Sequence, residues 1–133
     1  MKARCISNKG EKLSATNLSR GYSLNTEFHL TVDTEYHVYG MCVFEGALSL
    51  LVFDDIRRPD WCPIEIFKIT DKRMPADWVF NSWDSTLTGV WGYRELVMSR
   101  EYFDQLAERI EPAIIDFHRQ RERMDLVEKG EEG

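Results

Sequence analysis

The stretch YHVYGMCVFEGALSLLVFDD, residues 36–55, decides the fold. Two apolar segments flank Glu45 and Gly46, and a two-residue turn at this point would pair Phe44 with Ala47. Gly46 can adopt the positive φ that such a turn demands. Apolar side chains occupy both faces of the first segment, which is typical of a strand covered on both sides. The stretch therefore predicts a β-hairpin on which the rest of the chain packs.

The remaining sequence predicts more strands and then a helix. The segments with strand character are residues 1–6, 28–32, 64–70, 78–80 and 90–98. Residues 54–63 are expected to form a loop, because two prolines there lack backbone donors. Apolar residues at three- and four-residue spacing between 103 and 117 predict a C-terminal helix with Ser99 as its N-cap. Pro112 predicts a kink in this helix, or a break that leaves Pro112 in the first turn of a second helix.

The length of 133 residues fits one domain, which we assign to residues 1–127. The acidic sequence EKGEEG at 128–133 is expected to fray. The N-terminus has no continuous apolar segment of the kind found in secretory signals. The sequence also has no run of about 20 apolar residues, which is the length that spans a bilayer. These features predict a cytoplasmic protein with no membrane segment.

The net charge of −6 is unevenly distributed along the chain. The first 20 residues carry a net +4, which leaves −10 on the other 113. An acidic body repels phosphate backbones and attracts basic surfaces. The charge therefore disfavours nucleic acid as a partner and favours a protein with a basic surface.

The residues that could carry chemistry show no catalytic or metal-binding pattern. The three histidines, His29, His37 and His118, lack the local spacing of metal ligands. The three scattered cysteines, Cys5, Cys42 and Cys62, are expected to be buried reduced thiols. There is no nucleophile elbow and no glycine-rich phosphate loop. The sequence thus predicts a non-catalytic protein without metal or cofactor.

Tryptophans beside carboxylates give the strongest binding signal. Trp61 and Trp83 lie next to Asp60 and Asp84 in predicted loops, where no periodicity requires burial. Aromatic residues rimmed by charge are typical anchors of protein interfaces. Either tryptophan could instead cover the core. The predicted partner-binding residues are Asp54, Asp55, Asp60, Trp61, Trp83 and Asp84.

One ordered set of residues runs through positions 30–118. It consists of Tyr36-x-Val38-Tyr39-Gly40, Gly46, Asp54-Asp55, Pro59-x-Trp61-x-Pro63, Phe67, Pro75-x-x-Trp78 and Trp91-Gly92-Tyr93. In overall style this set resembles small bacterial immunity proteins, which are encoded beside polymorphic toxins. The resemblance implies a cytoplasmic inhibitor that binds a cognate toxin tightly and covers its active site.

The hairpin, the loop after it and the following strand are also similar to part of an SH3-like barrel. The acidic RT loop and the paired-tryptophan groove of peptide-binding SH3 domains are not recognisable, so recognition of proline-rich peptides is not expected. The expected fold class is α+β. It comprises a bent antiparallel sheet, or a partial SH3-like barrel, with the C-terminal helix packed on it.

Two other classes of function remain open from the sequence. One is a small enzyme or ligand-binding domain with a carboxylate-lined pocket between the sheet and the helix, for which Asp54, Asp55 and a histidine are the candidates. The other is an adaptor subunit that dimerises through its helix. A pocket with perturbed carboxylates would favour the former, and a flat acidic aromatic face would favour the inhibitor.

Overall fold

The computed structural model describes the backbone of residues 1–132 and the side chains of residues 1–127. The strands in this range are β1 (Lys2–Cys5), β2 (Glu35–His37), β3 (Gly40–Phe44), β4 (Ala47–Phe53), β5 (Pro59–Pro63), β6 (Phe67–Asp71), β7 (Val79–Asn81) and β8 (Leu87–Gly92). The helices are α1 (Ala15–Leu18), α2 (Arg94–Met98), α3 (Arg100–Ala107) and α4 (Glu111–Glu132). The tail expected to fray, 128–133, falls at the limit of this range: its backbone is helical to Glu132, and Gly133 lies outside the described residues.

The domain has three layers. One antiparallel sheet has the strand order β2-β1-β6, and a larger one has the order β5-β4-β3-β8-β7. One hydrophobic core lies between the two sheets, and a second lies between the larger sheet and helices α2–α4. Successive residues of β4 alternate between them, since Leu50 and Val52 belong to the first core and Leu51 to the second. This confirms the α+β class, with the C-terminal helix packed on a sheet whose central strands are covered on both faces.

The hairpin forms in the register that the sequence predicts. Phe44 pairs with Ala47, and the antiparallel pairing continues to the start of β3. Both turn residues have positive φ, 50° at Glu45 and 80° at Gly46, as a tight hairpin turn requires. The Glu45 N–H also donates to the Thr86 carbonyl at 2.7 Å, which ties the turn to the neighbouring connection. Local turn chemistry therefore fixes the centre of the fold.

The strand prediction for residues 28–32 is wrong. The Phe28 N–H donates to the Asn8 carbonyl, and the Leu30 N–H donates to the Phe28 carbonyl, each at 2.8 Å. The segment is thus a connection whose backbone bonds are local or made to a neighbouring loop. Leu30 is buried in the first core. The alternation of apolar residues in this segment reflects side chains that are buried from a loop, not from a strand.

The loop prediction for residues 54–63 is confirmed for 54–58 and wrong for the rest, because Pro59–Pro63 forms strand β5 at the edge of the larger sheet. Its prolines stand at its two ends, where Pro59 pairs with Phe53 and Pro63 pairs with Ser49. Proline is tolerated at the ends of an edge strand, because a missing N–H there costs few ladder hydrogen bonds. Arg109 covers this edge by donating from Nε to the Pro59 carbonyl at 3.3 Å.

Two other strand predictions are wrong at one end. The segment 64–70 begins with a 3-10 turn, Ile64–Ile66, before β6. The segment 90–98 is strand only to Gly92, and α2 follows it. Helical spacing explains this helix, because its inward side carries Leu96 and Val97, which are fully buried together with the preceding Tyr93.

The C-terminal helical region is broken rather than kinked, which is the second of the two outcomes that Pro112 predicts. Ser99 caps α3, since its Oγ accepts the Tyr102 N–H at 3.1 Å. The break follows at Arg109, whose φ is 57°. Pro112 then lies in the first turn of α4, where its missing N–H has no helical partner to lose.

Tyr36→Phe is expected to lower the free energy of unfolding by about 1–2 kcal/mol. The buried Tyr36 hydroxyl donates to Asp55 Oδ1 at 2.8 Å and accepts the Thr31 N–H at 2.7 Å, so its removal leaves a backbone donor unpaired. Urea denaturation measures the change. The matched control is Tyr22→Phe, since the Tyr22 hydroxyl makes no hydrogen bond to the described residues; a shift as large in the control would contradict this explanation.

Candidate functional site

The six predicted binding residues separate into two groups. Asp54 and Asp55 lie in the turn between β4 and β5 and make hydrogen bonds within the fold. The Asp54 side chain is fully buried and accepts from the Arg58 N–H at 3.1 Å and from Arg58 Nε at 2.8 Å. Asp55 accepts the hydroxyls of Tyr36 and Thr31. Asp54 therefore cannot meet a partner directly, whereas Asp55 is exposed and also accepts hydrogen bonds from two hydroxyls of the fold.

Of the other four residues, the two tryptophans converge on Phe103 of α3. The Trp61 ring, on β5, lies 5.5 Å from the Phe103 ring, and the Trp83 ring meets the same phenylalanine edge-on at 5.8 Å. Both tryptophans are half-buried, so each seals the second core and presents part of its ring to solvent. Residues distant in sequence thus form one surface. We call it the aromatic face, and it comprises Trp61, Trp83, Asp84, Arg100, Phe103 and Asp104. Asp60 lies on the other face of the larger sheet, because it pairs with Val52 of the first core while Trp61 pairs with Leu51 of the second.

Asp60 lies on the edge strand β5, on the face of the sheet opposite to Trp61. Its Oδ1 lies 3.1 Å from Arg109 Nη2, and its side chain is 16% exposed. Burial raises the pKa of Asp60, and the nearby Arg109 charge opposes that shift. The carboxylate is therefore partly desolvated before any partner arrives.

Asp84 and Arg100 form the charged rim of the aromatic face. Asp84 Oδ1 accepts the N–H groups of Leu87 and Thr86 at 2.7 and 2.8 Å, and these two bonds are the main reason that its pKa is lowered. Arg100 links Asp84 to Asp104, at 3.2 and 3.0 Å, and its guanidinium lies 5.7 Å from the Trp83 ring centre. These contacts hold the Trp83 loop against α3.

Asp60→Asn and Asp84→Asn are expected to change stability with opposite pH dependences. Asp60 has a raised folded-state pKa, so its contribution is present below about pH 4 and is lost as pH rises through that pKa. Asp84 has a lowered folded-state pKa. Its contribution to stability is therefore present above about pH 4 and is lost as pH falls through that pKa. Relative to the wild type, Asp60→Asn gains stability with rising pH and Asp84→Asn loses it. Urea denaturation at a series of pH values measures both slopes, and slopes of the same sign would contradict the two assignments.

The cysteines are buried, as the sequence predicts, and no disulfide joins them. Burial raises the pKa of Cys42 to about 12 and also raises the pKa of Cys5 and of Cys62. Because the thiolate is the nucleophile, such thiols react poorly at neutral pH. Within residues 1–127, whose side chains are described, no cluster of three or more metal-binding side chains occurs.

A pocket of about 240 Å³ lies between the sheets and α4, and we call it the α4 pocket. Its walls come from the β2–β3 junction, from the connection after β6 and from the second half of α4. It contains a histidine, His37, and three carboxylates, Asp71, Asp77 and Asp125. The sequence led us to expect carboxylates in such a pocket, but Asp54 and Asp55 do not line it.

The sequence does not indicate the central residue of the aromatic face, Phe103, or the carboxylate of the α4 pocket, Asp125. Phe103 has the spacing of a helix core residue, and nothing local to it indicates contact with two tryptophans. Asp125 follows an arginine-rich segment that reads as a solvated helix surface. A histidine 88 positions away is its neighbour only through the fold, with 3.8 Å between His37 Nδ1 and Asp125 Oδ1.

Comparisons with protein-family models, with curated proteins and with solved structures gave no match for this chain. Among the residues that the structure describes, none of the helices combines the length and apolar character needed to cross a bilayer. The class that the fold and the two surfaces define is therefore a three-layer α+β domain with an aromatic face and a small pocket.

Proposed function

We propose that this chain is a non-catalytic protein-binding domain, and in its sharpest form an immunity protein that neutralises a cognate bacterial toxin in the cytoplasm. The observation that carries the proposal is the aromatic face. Trp61 and Trp83 share one phenylalanine support, and Asp84, Arg100 and Asp104 lie beside them, which is the composition of an interface core with a charged rim. A partner that covers the two rings would bury their apolar area and would contact the acidic groups beside them.

The charge distribution supports a basic partner. Residues 94–111, which include α2 and α3, carry five carboxylates against three guanidinium groups. Asp84 and Asp104 add partly exposed acceptors at the edge of the aromatic face. Opposite fields speed encounter between proteins and disfavour partners of like charge. A toxin with a basic cleft for nucleic acids or nucleotides has the complementary surface.

Affinity capture tests the proposal. Extracts of the source organism are passed over the wild-type chain and over a Trp61→Ala/Trp83→Ala variant as the matched bait. We expect a protein that only the wild type retains, and that arrests growth when it is expressed alone and not when it is expressed with this chain. Capture of the same proteins by both baits, or of proteins without toxicity, would contradict the proposal.

A further inference from the structure

The α4 pocket has a mostly apolar wall. Met1, Met74 and Met124 contribute to it, together with Pro75 and Val127. Methionine is unbranched and polarisable, so such a wall adapts to apolar groups of irregular shape. The volume, about 240 Å³, is smaller than that of sites for drug-sized ligands, about 300–1,000 Å³. The pocket therefore suits a small apolar body, such as one aromatic ring with a short side chain.

The two arginines of the pocket have their charges matched by short contacts. Arg73 donates to both oxygens of Asp71, at 3.0 and 2.8 Å. Arg123 donates from Nη1 to Asp77 at 2.6 Å, and from Nε and Nη2 to Gln120 Oε1 at 3.2 and 3.0 Å. An anionic ligand would have to compete with these partners for either guanidinium group.

Asp125 is held more loosely than either arginine. Its shortest contact is the Tyr39 hydroxyl, which donates to Oδ1 at 3.1 Å and lies 3.4 Å from Oδ2. Two cationic or titratable neighbours stand beyond hydrogen-bond distance: Arg121 Nη1 is 3.6 Å from Oδ2, and His37 Nδ1 is 3.8 Å from Oδ1. An ionised carboxylate has about four acceptor positions. Asp125, whose side chain is 28% exposed, therefore has acceptor capacity left at the pocket wall.

The Arg121 charge is shared with another group. Its guanidinium lies 4.2 Å from the centre of the Phe53 ring, at cation–π distance. On the pocket side, the His37 and Tyr39 rings stack at 6.3 Å and flank Asp125. A carboxylate beside two aromatic rings suits an ammonium group, which gains charge-assisted hydrogen bonds and contact with a ring face.

We propose that the α4 pocket binds a small organic amine, whose ammonium group donates to Asp125 and whose apolar body lies against the methionines. The proposal does not rest on the protein-binding function, because no residue of the aromatic face lines the described walls of the pocket. Either proposal can fail while the other holds.

The test is an amide NMR titration of the whole chain with three probes that share one apolar body. Phenethylamine is the cation, phenethyl alcohol is neutral, and hydrocinnamate is the anion. We expect phenethylamine to shift the resonances of pocket residues saturably, and the other two to bind at least about tenfold more weakly, the value of one charge-assisted hydrogen bond. Equal affinities, a preference for hydrocinnamate, or no saturable binding by any probe would overturn the proposal.

The substitution Asp125→Asn tests whether Asp125 is the carboxylate that binds the ammonium group. It is expected to weaken phenethylamine binding at least about tenfold and to leave the affinity for phenethyl alcohol unchanged. Asp104→Asn on α3 is the matched control and should leave both affinities unchanged. An Asp125→Asn variant that folds and keeps wild-type affinity for the amine would overturn the assignment. If this variant does not fold, the three probes on the wild type decide the question.

Discussion

Replacing Phe117 with alanine is expected to lower the free energy of unfolding by about 3–5 kcal/mol. Phe117 is fully buried in the second core, where its ring meets Tyr39 edge-on at 5.5 Å and lies 6.4 Å from Phe53. It is one of the buried residues that anchor α4 to the larger sheet, with Ala113 and Met124. The loss combines the transfer of the ring to water with the cavity that remains.

Urea denaturation followed by circular dichroism measures this loss. Phe80→Ala is the matched control: the Phe80 ring is 54% exposed and pairs with Trp91 at 5.0 Å, so its removal is expected to cost about 1 kcal/mol. A domain of this size has a free energy of unfolding of about 5–15 kcal/mol, so the difference between the variants is easily resolved. Equal losses for both would show that α4 does not pack as described.

Truncating either tryptophan of the aromatic face is expected to weaken partner binding about 30-fold or more, which corresponds to about 2 kcal/mol for an interface anchor. Trp61 and Trp83 carry the accessible apolar area of this face, while Asp60 and Asp84 bind neighbouring arginines. Calorimetric titration of the purified partner with Trp61→Ala and with Trp83→Ala measures the change.

Because both rings also seal the second core, folding must be separated from binding in this experiment. Each variant is therefore compared by its free energy of unfolding, and Asp104→Arg supplies a second variant at an exposed rim position. This charge reversal should slow association with a basic partner and have little effect on the fold. Phe80→Ala, on the opposite face of the larger sheet, should bind as the wild type does. Unchanged affinity in folded Trp61→Ala and Trp83→Ala variants would show that the face is wrongly assigned.

The parts of the fold that sequence reasoning predicts are those set by neighbouring residues. The turn at Glu45 and Gly46, the Ser99 cap and the effect of Pro112 each depend on chemistry within a few positions. Strand β5 was missed because its prolines read as a loop. Only its place at the sheet edge makes those prolines acceptable, and a sequence does not show which strand is at an edge.

The candidate sites depend on contacts between residues distant in sequence. The meeting of Trp61 with Phe103 across 42 positions, and of Tyr39 with Asp125 across 86, leaves no local pattern. Residue type could suggest that loop tryptophans and carboxylates bind a partner. It could not show that Asp54 is buried beneath its own turn, because Arg58 holds it there through the fold of that turn.

Inhibition of the captured partner is the decisive measurement of whether this chain neutralises it. The purified partner is assayed for its own activity while the wild-type chain, or the Trp61→Ala/Trp83→Ala variant, is added to saturation. We expect the wild type to abolish the activity and the variant, at the same concentration, to leave it nearly intact. A saturated complex with the wild type in which the partner keeps its full activity would contradict this expectation.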